Sequence, residues 1–172
     1  MCIRDRLYAP QIIVGQDDKI RCIDRCRIYT QEKVCADILW NHDRVDDGEK
    51  VEHTLISTGS IKIGKNAVVY GDVKSNHNIR VMKGAIISGN VIADGTIALD
   101  EDVEVRGILF SQESIYVGAN NEIGECGMIK SVIAREKVTL CEGAVVYGYI
   151  SGEKPCETVD CEQYEEELRS VY

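Results

Sequence analysis

The sequence has few aromatic residues and few prolines. Its 172 residues include one Phe, one Trp and two Pro, although hydrophobic residues make up 44% of the chain. Aromatic side chains supply much of the buried surface in most proteins, so we expect a core built from aliphatic side chains instead. The chain is long enough to form one domain around such a core.

The sequence also lacks long apolar segments and an excess of positive charge. No run of about 18 apolar residues is present and no leader pattern opens the chain, so neither a spanning helix nor a signal peptide is expected. The 29 acidic and 20 basic residues give a net charge of −9, which would repel nucleic-acid phosphates. We expect no nucleic-acid partner, whereas membrane attachment stays open.

Cysteine is plentiful, with eight residues in the chain. Small secreted domains use disulfides to compensate for a small core, but this chain has length enough for a core of its own, so we expect reduced thiols in the cytoplasm. Cys22 and Cys26 fall at positions expected to face the core, and Cys156 and Cys161 have no second pair nearby. Neither pair completes a four-ligand zinc site, so no metal and no other cofactor is expected.

The most informative feature is a repeat with a period of 18 residues. It is marked by isoleucines at equal intervals: Ile61, Ile79, Ile97 and Ile115. A fixed period of this size indicates a solenoid. Each repeat contains three pairs of mainly apolar residues spaced two apart, such as Ile61 with Ile63, and residues at that spacing lie on one face of a strand. Turn-forming residues separate the pairs.

Three short strands and three corners per repeat predict an all-β fold, a triangular single-stranded β-helix with a right-handed sense favoured. Glycines recur at the middle corner, at Gly71, Gly89, Gly107 and Gly148. Such positions require either a positive φ or a close approach of two backbones. The interval from Ile115 to Val138 is longer by about five residues, which predicts an insertion at the middle corner, within residues 124–131.

The rest of the chain is expected to extend this β-helix. We interpret residues 1–8 as an artefact or a disordered start, residues 9–152 as the β-helix with a polar loop at 41–50, and residues 153–172 as a linker and a C-terminal helix. A fainter repeat from Ile20 to Trp40 predicts an N-terminal coil. Cys161, Tyr164, Leu168 and Val171 have the spacing of a short amphipathic α-helix, which we expect to dock on the open end of the last coil.

The residue between two inward-facing residues of a strand points outward. On the first face these outward residues predict a solvated wall: Lys62, Arg80, Ala98, Tyr116 and Thr139. On the third face Ile92, Phe110 and Ile133 form a contiguous apolar strip of a kind that marks an interaction surface. We identify this strip as the candidate self-association site, unless loop 41–50 or the C-terminal helix covers it.

The same repeat pattern also fits one class of enzymes. Hexapeptide-repeat acyltransferases also have triangular solenoids, act as trimers, and use a histidine as general base. His77 stands at a corner between Asn76 and Asn78, where a solvated histidine is an ordinary turn residue that needs no catalytic role. His42, His53 and His77 lack the spacing of a three-histidine metal site. We expect no catalytic residue and keep the acyltransferase as the alternative.

Four repeat phrases resemble those of the bactofilins: VVYGDV (68–73), IISGNV (86–91), VRGIL (105–109) and VVYGYI (145–150). The resemblance covers roughly residues 57–152. Bactofilins are polymer-forming cytoskeletal proteins of bacteria that are built as right-handed triangular β-helices. The resemblance therefore implies a non-enzymatic scaffold that assembles head to tail without nucleotide, with itself as partner, as a filament or a smaller homo-oligomer.

Overall fold

The computed structural model describes residues 12–14, 20–22, 38–160 and 162–166. The chain divides into two compact units, Met1–Cys35 and Ala36–Tyr172. In the first unit, strands β1 (Ile12–Val14) and β2 (Ile20–Cys22) pair antiparallel, which differs from the parallel stacking predicted for an N-terminal coil. The remainder of that predicted coil before Ile38, like residues 1–8, lies outside the described residues.

The second unit is a β-solenoid in which the strands of successive turns stack in three parallel sheets. The first sheet contains β4 (Arg44–Val45), β7 (Ile61–Ile63), β10 (Ile79–Val81), β13 (Ile97–Leu99), β16 (Ile115–Val117), β19 (Val138–Cys141) and β22 (Glu157–Val159). The second contains β5 (Lys50–Val51), β8 (Val68–Val69), β11 (Ile86–Ile87), β14 (Glu104–Val105), β17 (Glu122–Ile123) and β20 (Val145–Val146). The third contains β3 (Ile38–Trp40), β6 (Thr54–Ser57), β9 (Val73–Ser75), β12 (Val91–Ala93), β15 (Leu109–Ser111), β18 (Lys130–Ala134) and β21 (Gly148–Ser151).

The 18-residue period is confirmed as one turn of the solenoid. Ile61, Ile79, Ile97 and Ile115 are direct partners on neighbouring strands of the first sheet and all are buried. The same inward columns on the other two sheets supply Val, Leu, Ile and Ala to one continuous core. One turn cannot bury its own apolar side chains, whereas the turns above and below can.

Polar side chains at the corners fasten one turn to the next. The Asn78 Oδ1 accepts a hydrogen bond from the Thr96 N–H at 3.0 Å, and the Asp72 Oδ1 accepts one from the Asn90 N–H at 2.7 Å. Both bonds join residues 18 apart. Backbone groups that would be unpaired at the corners are thereby satisfied, which explains why Asn and Asp recur there.

Glycines meet two different requirements at the corners, close approach of two backbones and the left-handed conformation. The middle-corner glycines are required for close approach, since a Cβ on Gly89 would overlap the carbonyl oxygen of Gly71, and one on Gly107 would overlap that of Gly89. Positive φ angles recur at the first corner, once per turn: Gly48, Asn66, Gly84, Asp102, Asn120 and Gly143. Gly, Asn and Asp tolerate that conformation best, which explains why these three residue types recur at the first corner.

Residues 41–50 form a turn of the solenoid, so the predicted polar loop is wrong. They contain β4 and the first residue of β5, which pair with β7 and β8, and Val45 is buried. The 18-residue apolar repeat is not visible here in the sequence, because polar residues stand at two of its inward positions. Asp43 and Glu49 occupy the positions that Ile61 and Ala67 take one turn later.

The extra residues after Ile115 lie at the middle corner. The chain leaves β17 at Ile123 and makes a tight turn in which the Met128 N–H donates to the Glu125 carbonyl at 3.0 Å. Lys130 and Ser131 then lengthen β18 and pair with Gly148 and Tyr149 of the next turn. The insertion therefore projects beside the last turn without displacing the strands that follow.

The C-terminal segment begins with a strand where the sequence predicted a linker and a helix. β22 pairs with β19 and adds a seventh strand to the first sheet. The chain then turns at Asp160, whose carboxylate accepts a hydrogen bond from the Gln163 N–H at 2.8 Å, and forms helix α1 over residues 162–166. An aspartate is a favourable N-cap for a helix of this kind.

Helix α1 packs on the outer side of the first sheet. The sequence predicted that it would dock on the open end of the last turn, so that prediction is wrong. Tyr164 is buried against Ala98, Cys141 and Val159, and its hydroxyl donates to the Leu99 carbonyl at 2.5 Å. Ala98 and Thr139 are fully buried, so the predicted solvated wall on this face is also wrong for its C-terminal half. Val159 and Tyr164 pack against Ala98 and Tyr116 in this half of the face.

Candidate functional site

The predicted apolar strip exists as one outward row on the third sheet. Strand register aligns its members in the order Trp40, Ile56, Lys74, Ile92, Phe110, Ile133 and Ser151. Ile92, Phe110 and Ile133 are adjacent in this row and each is half-buried, because neighbours in a row shield one another. Ile56 and Trp40 continue the row, and sequence reasoning missed them although they lie at the same repeat position.

Neither segment that could have covered the strip does so. Residues 41–50 contribute strands to the first and second sheets, and α1 packs on the first sheet. Among the residues that the structure describes, the strip is therefore left on the surface of the third sheet.

A second apolar surface was not predicted, and it lies at the edges of the same sheet. Within residues 38–160 and 162–166, three of the seven exposed large hydrophobic side chains lie in strands β3 and β21: Ile38, Trp40 and Tyr149. Met128 and Ile129 lie in the insertion that leads into β18, and Val145 lies in β20 of the second sheet. β3 and β21 are the two edge strands of the third sheet. Trp40 is 67% exposed and Tyr149 is 55% exposed.

The last turn also presents core positions to its open side. Leu140, Ala144, Val146 and Ile150 are only partly buried, although the residues that precede them in the same columns are almost all fully buried. Ile123, directly before Val146 in its column, is 0% exposed. The end of the solenoid thus displays the same side chains that stack in its interior.

Charged side chains form pairs along the corners. Lys83 contacts Glu101 at 2.6 Å and Asp102 at 3.3 Å, and hydrogen bonding to Glu101 raises the Lys83 pKa. Arg80 lies 3.5 Å from Asp100 on the outer side of the first sheet. Burial raises the pKa of the Asp100 carboxyl, while the Arg80 charge acts in the opposite direction.

The histidines considered for catalysis or metal binding are not gathered into a site. His77 is exposed at the third corner, where its backbone N–H donates to the Ser75 hydroxyl at 3.0 Å. His53 lies at the middle corner, directly before β6. In the described part of the chain no three His, Cys, Asp or Glu side chains are arranged to hold a metal ion.

A shallow polar groove follows the third corner near the C-terminal end. It is lined by acidic and basic side chains that include Asp94, Glu113, Arg135 and Lys154. Lys154 pairs with Glu136 at 3.3 Å, and the Glu113 carboxylate accepts a hydrogen bond from the Thr96 hydroxyl at 2.9 Å. The groove is thus bordered by groups that already bind one another.

Comparison with known proteins adds no relative. No family of known proteins, no curated protein and no solved structure matches this chain. Among the described residues, no helix has the length and apolar character needed to cross a membrane. The chain is thus described by its geometry, a β-solenoid with an apolar row on one sheet and exposed apolar side chains at the edges of that sheet.

Proposed function

We propose that this protein is a non-enzymatic bacterial scaffold that polymerises through the ends of its β-helix. The observation that carries the proposal is the exposure of Ile38, Trp40 and Tyr149 on the two edge strands of one sheet, β3 and β21. The resemblance of the repeat phrases to bactofilins supports the same function. The partner in this proposal is a second copy of the chain.

The edges of a β-sheet favour such an assembly. An edge strand has a row of N–H and C=O groups that can pair with another strand, and soluble proteins usually blunt long edges with charge or proline. Here β21 presents Tyr149 and Ile150, and β3 presents Ile38 and Trp40. Aromatic and aliphatic anchors of this kind contribute much of the binding energy at protein interfaces.

The strip on the third sheet supplies a second contact in the proposal. Ile92, Phe110 and Ile133 lie on the outer side of a seven-stranded sheet, and a flat apolar sheet surface packs well against a like surface. We assign this strip to lateral association between stacked subunits.

The proposed compartment is the cytoplasm. Cys126 and Cys156 are free thiols in the structure, and reduced cysteines are typical of cytoplasmic proteins.

Electron microscopy combined with analytical ultracentrifugation tests the function. We expect purified protein to form filaments, and Tyr149→Asp to raise the concentration needed for assembly by about tenfold or more, because a charge replaces an apolar anchor. Tyr70→Asp is the matched control, since Tyr70 is 51% exposed but lies away from β21. Discrete trimers would favour the acyltransferase alternative, and an unaltered assembly of the Tyr149 variant would contradict the proposed contact.

A further inference from the structure

The outward row of the third sheet has the same order in both directions from Phe110. An isoleucine lies one strand away on either side, Ile92 on β12 and Ile133 on β18. Two strands away the side chains are polar, Lys74 on β9 and Ser151 on β21. A two-fold axis at Phe110 would therefore place apolar residues against apolar ones and polar residues against polar ones, as a contact between two identical surfaces requires.

The third corner adds opposite charges to the same pattern. Asp94, Gln112 and Arg135 directly follow the aligned strands β12, β15 and β18, so they form one row beside the strip. Gln112 is level with Phe110, and Asp94 and Arg135 lie one strand away on opposite sides. A two-fold axis at Phe110, parallel to the strands, thus brings Asp94 of each copy to Arg135 of the other.

The charged groups of this row are accessible to a second copy. Asp94 and Arg135 are both exposed. The Asp94 carboxylate accepts a long hydrogen bond of 3.5 Å from the Gln112 amide. Among the described residues, no carboxylate forms an ion pair with the Arg135 guanidinium, while the Arg135 backbone N–H donates to the Ser111 carbonyl at 3.0 Å. An ion pair with another copy therefore breaks no ion pair inside the chain.

Other ways of pairing two strips bring unfavourable contacts. With the two solenoids parallel and level, the Lys74 side chains of both copies would face each other, and like charges across a contact oppose it. With the solenoids antiparallel but the axis moved one strand to Ile92, Phe110 would face Lys74, and the two Asp94 carboxylates would face each other. The axis at Phe110 avoids these conflicts.

We propose that two copies associate through the strip as an antiparallel, two-fold symmetric pair centred on Phe110, with Asp94 of each copy bound to Arg135 of the other. The two third sheets face each other at about 10 Å. The inference rests on the lateral contact assigned under the proposed function, and it needs no growth at the ends of the solenoid.

Mixing two charge-reversed variants tests the ion pair. Asp94→Arg leaves two positive groups at these positions and Arg135→Asp leaves two negative ones, so each variant alone should associate about tenfold more weakly than the wild type. An equimolar mixture should recover the wild-type affinity, because one copy of each variant restores both ion pairs. Lys65→Asp is the matched control, since Lys65 is exposed at the first corner and its reversal should leave the affinity unchanged.

Sedimentation velocity measures these samples in the Ile38→Asp background, which removes an apolar anchor from β3, outside the proposed contact. A mixture that associates no better than the separate variants would overturn the antiparallel pair, and filaments of the wild type would then leave polymerisation standing. Recovery in the mixture without any wild-type filaments would support the pair and contradict polymerisation.

Photo-crosslinking tests the direction of the two solenoids. Asn76 is exposed directly after β9, and the proposed axis places it opposite the end of β21. A benzophenone amino acid in place of Asn76 should therefore capture residues 151–153 of the other copy, as identified by mass spectrometry. Capture of the β9 region would show parallel solenoids and would overturn the proposal.

Discussion

The first and third sheets have equal numbers of strands but different outer surfaces. On the first sheet, Ala98 is fully buried against Val159 and Tyr164 of the C-terminal segment, and Thr139 is fully buried beside β22. On the third, Ile92, Phe110 and Ile133 form a more apolar row that nothing in the described residues covers. An outward-facing residue of a strand is therefore not always exposed, because a segment elsewhere in the chain can cover one face and leave the other uncovered.

The outer side of the first sheet, which the C-terminal segment covers, shows what a side chain needs in order to pack on such a surface. Tyr164 fills the surface over Ala98 and satisfies its own hydroxyl at the Leu99 carbonyl. Buried tyrosines usually need such a partner for the O–H group. A partner for the third face would need apolar bulk without that polar anchor, and a second third-face strip provides it.

The largest contrast is expected from placing a charge on each face. Ala98→Lys should lower the free energy of unfolding by about 3 kcal/mol, because it buries an unpaired charge under Tyr164. Ile92→Lys should change it by less than about 1 kcal/mol, since this side chain can reach water. Urea denaturation at a concentration that keeps the protein monomeric measures both, and equal losses would contradict the difference between the faces.

Lateral association gives the next largest effect. Ile92→Asp should weaken association about tenfold, and Phe110→Asp should likewise lower the sedimentation coefficient. Ile86→Asp is the matched control, because Ile86 is an outward, half-buried isoleucine of the same turn on the second sheet. Sedimentation velocity compares the three variants, and a similar loss for Ile86→Asp would show that the third face has no special role.

A smaller effect is expected from the tyrosine hydroxyl on the covered face. Tyr164→Phe keeps the ring but removes the hydrogen bond to the Leu99 carbonyl, so the free energy of unfolding should fall by about 1 kcal/mol. Tyr70→Phe, at an exposed position, should have no measurable effect. Thermal or urea unfolding of the two variants tests this, and an unchanged Tyr164→Phe protein would mean that the ring alone holds the segment.

The smallest effect concerns pH. Burial raises the pKa of Asp100 in the folded state, so its contribution to stability is present below the usual aspartate pKa and is lost as the pH rises through the raised value. Asp100→Asn should therefore become more stable relative to wild type over that rise. A difference between the two proteins that stays constant with pH would show that Asp100 is not perturbed.

The core columns of the solenoid could be predicted from the sequence, whereas the segments that pack on its outer surface could not. Ile61 and Ile79 could be placed from spacing alone, because an 18-residue period leaves one way to stack the inward columns. Residues 41–50 were missed because Asp43 takes the place of a core isoleucine, and β22 was missed because Thr158 takes the place of Leu140. Spacing within a strand also carries no information about what packs outside it, so the burial of Ala98 required the structure.

The central claim is that the solenoid associates with itself through the edges of its third sheet. Sedimentation velocity over a wide range of protein concentrations tests it most directly, with electron microscopy of the same samples. The account predicts species that grow with concentration into filaments, and growth that is suppressed in Tyr149→Asp. A single monomer boundary at every concentration would contradict it.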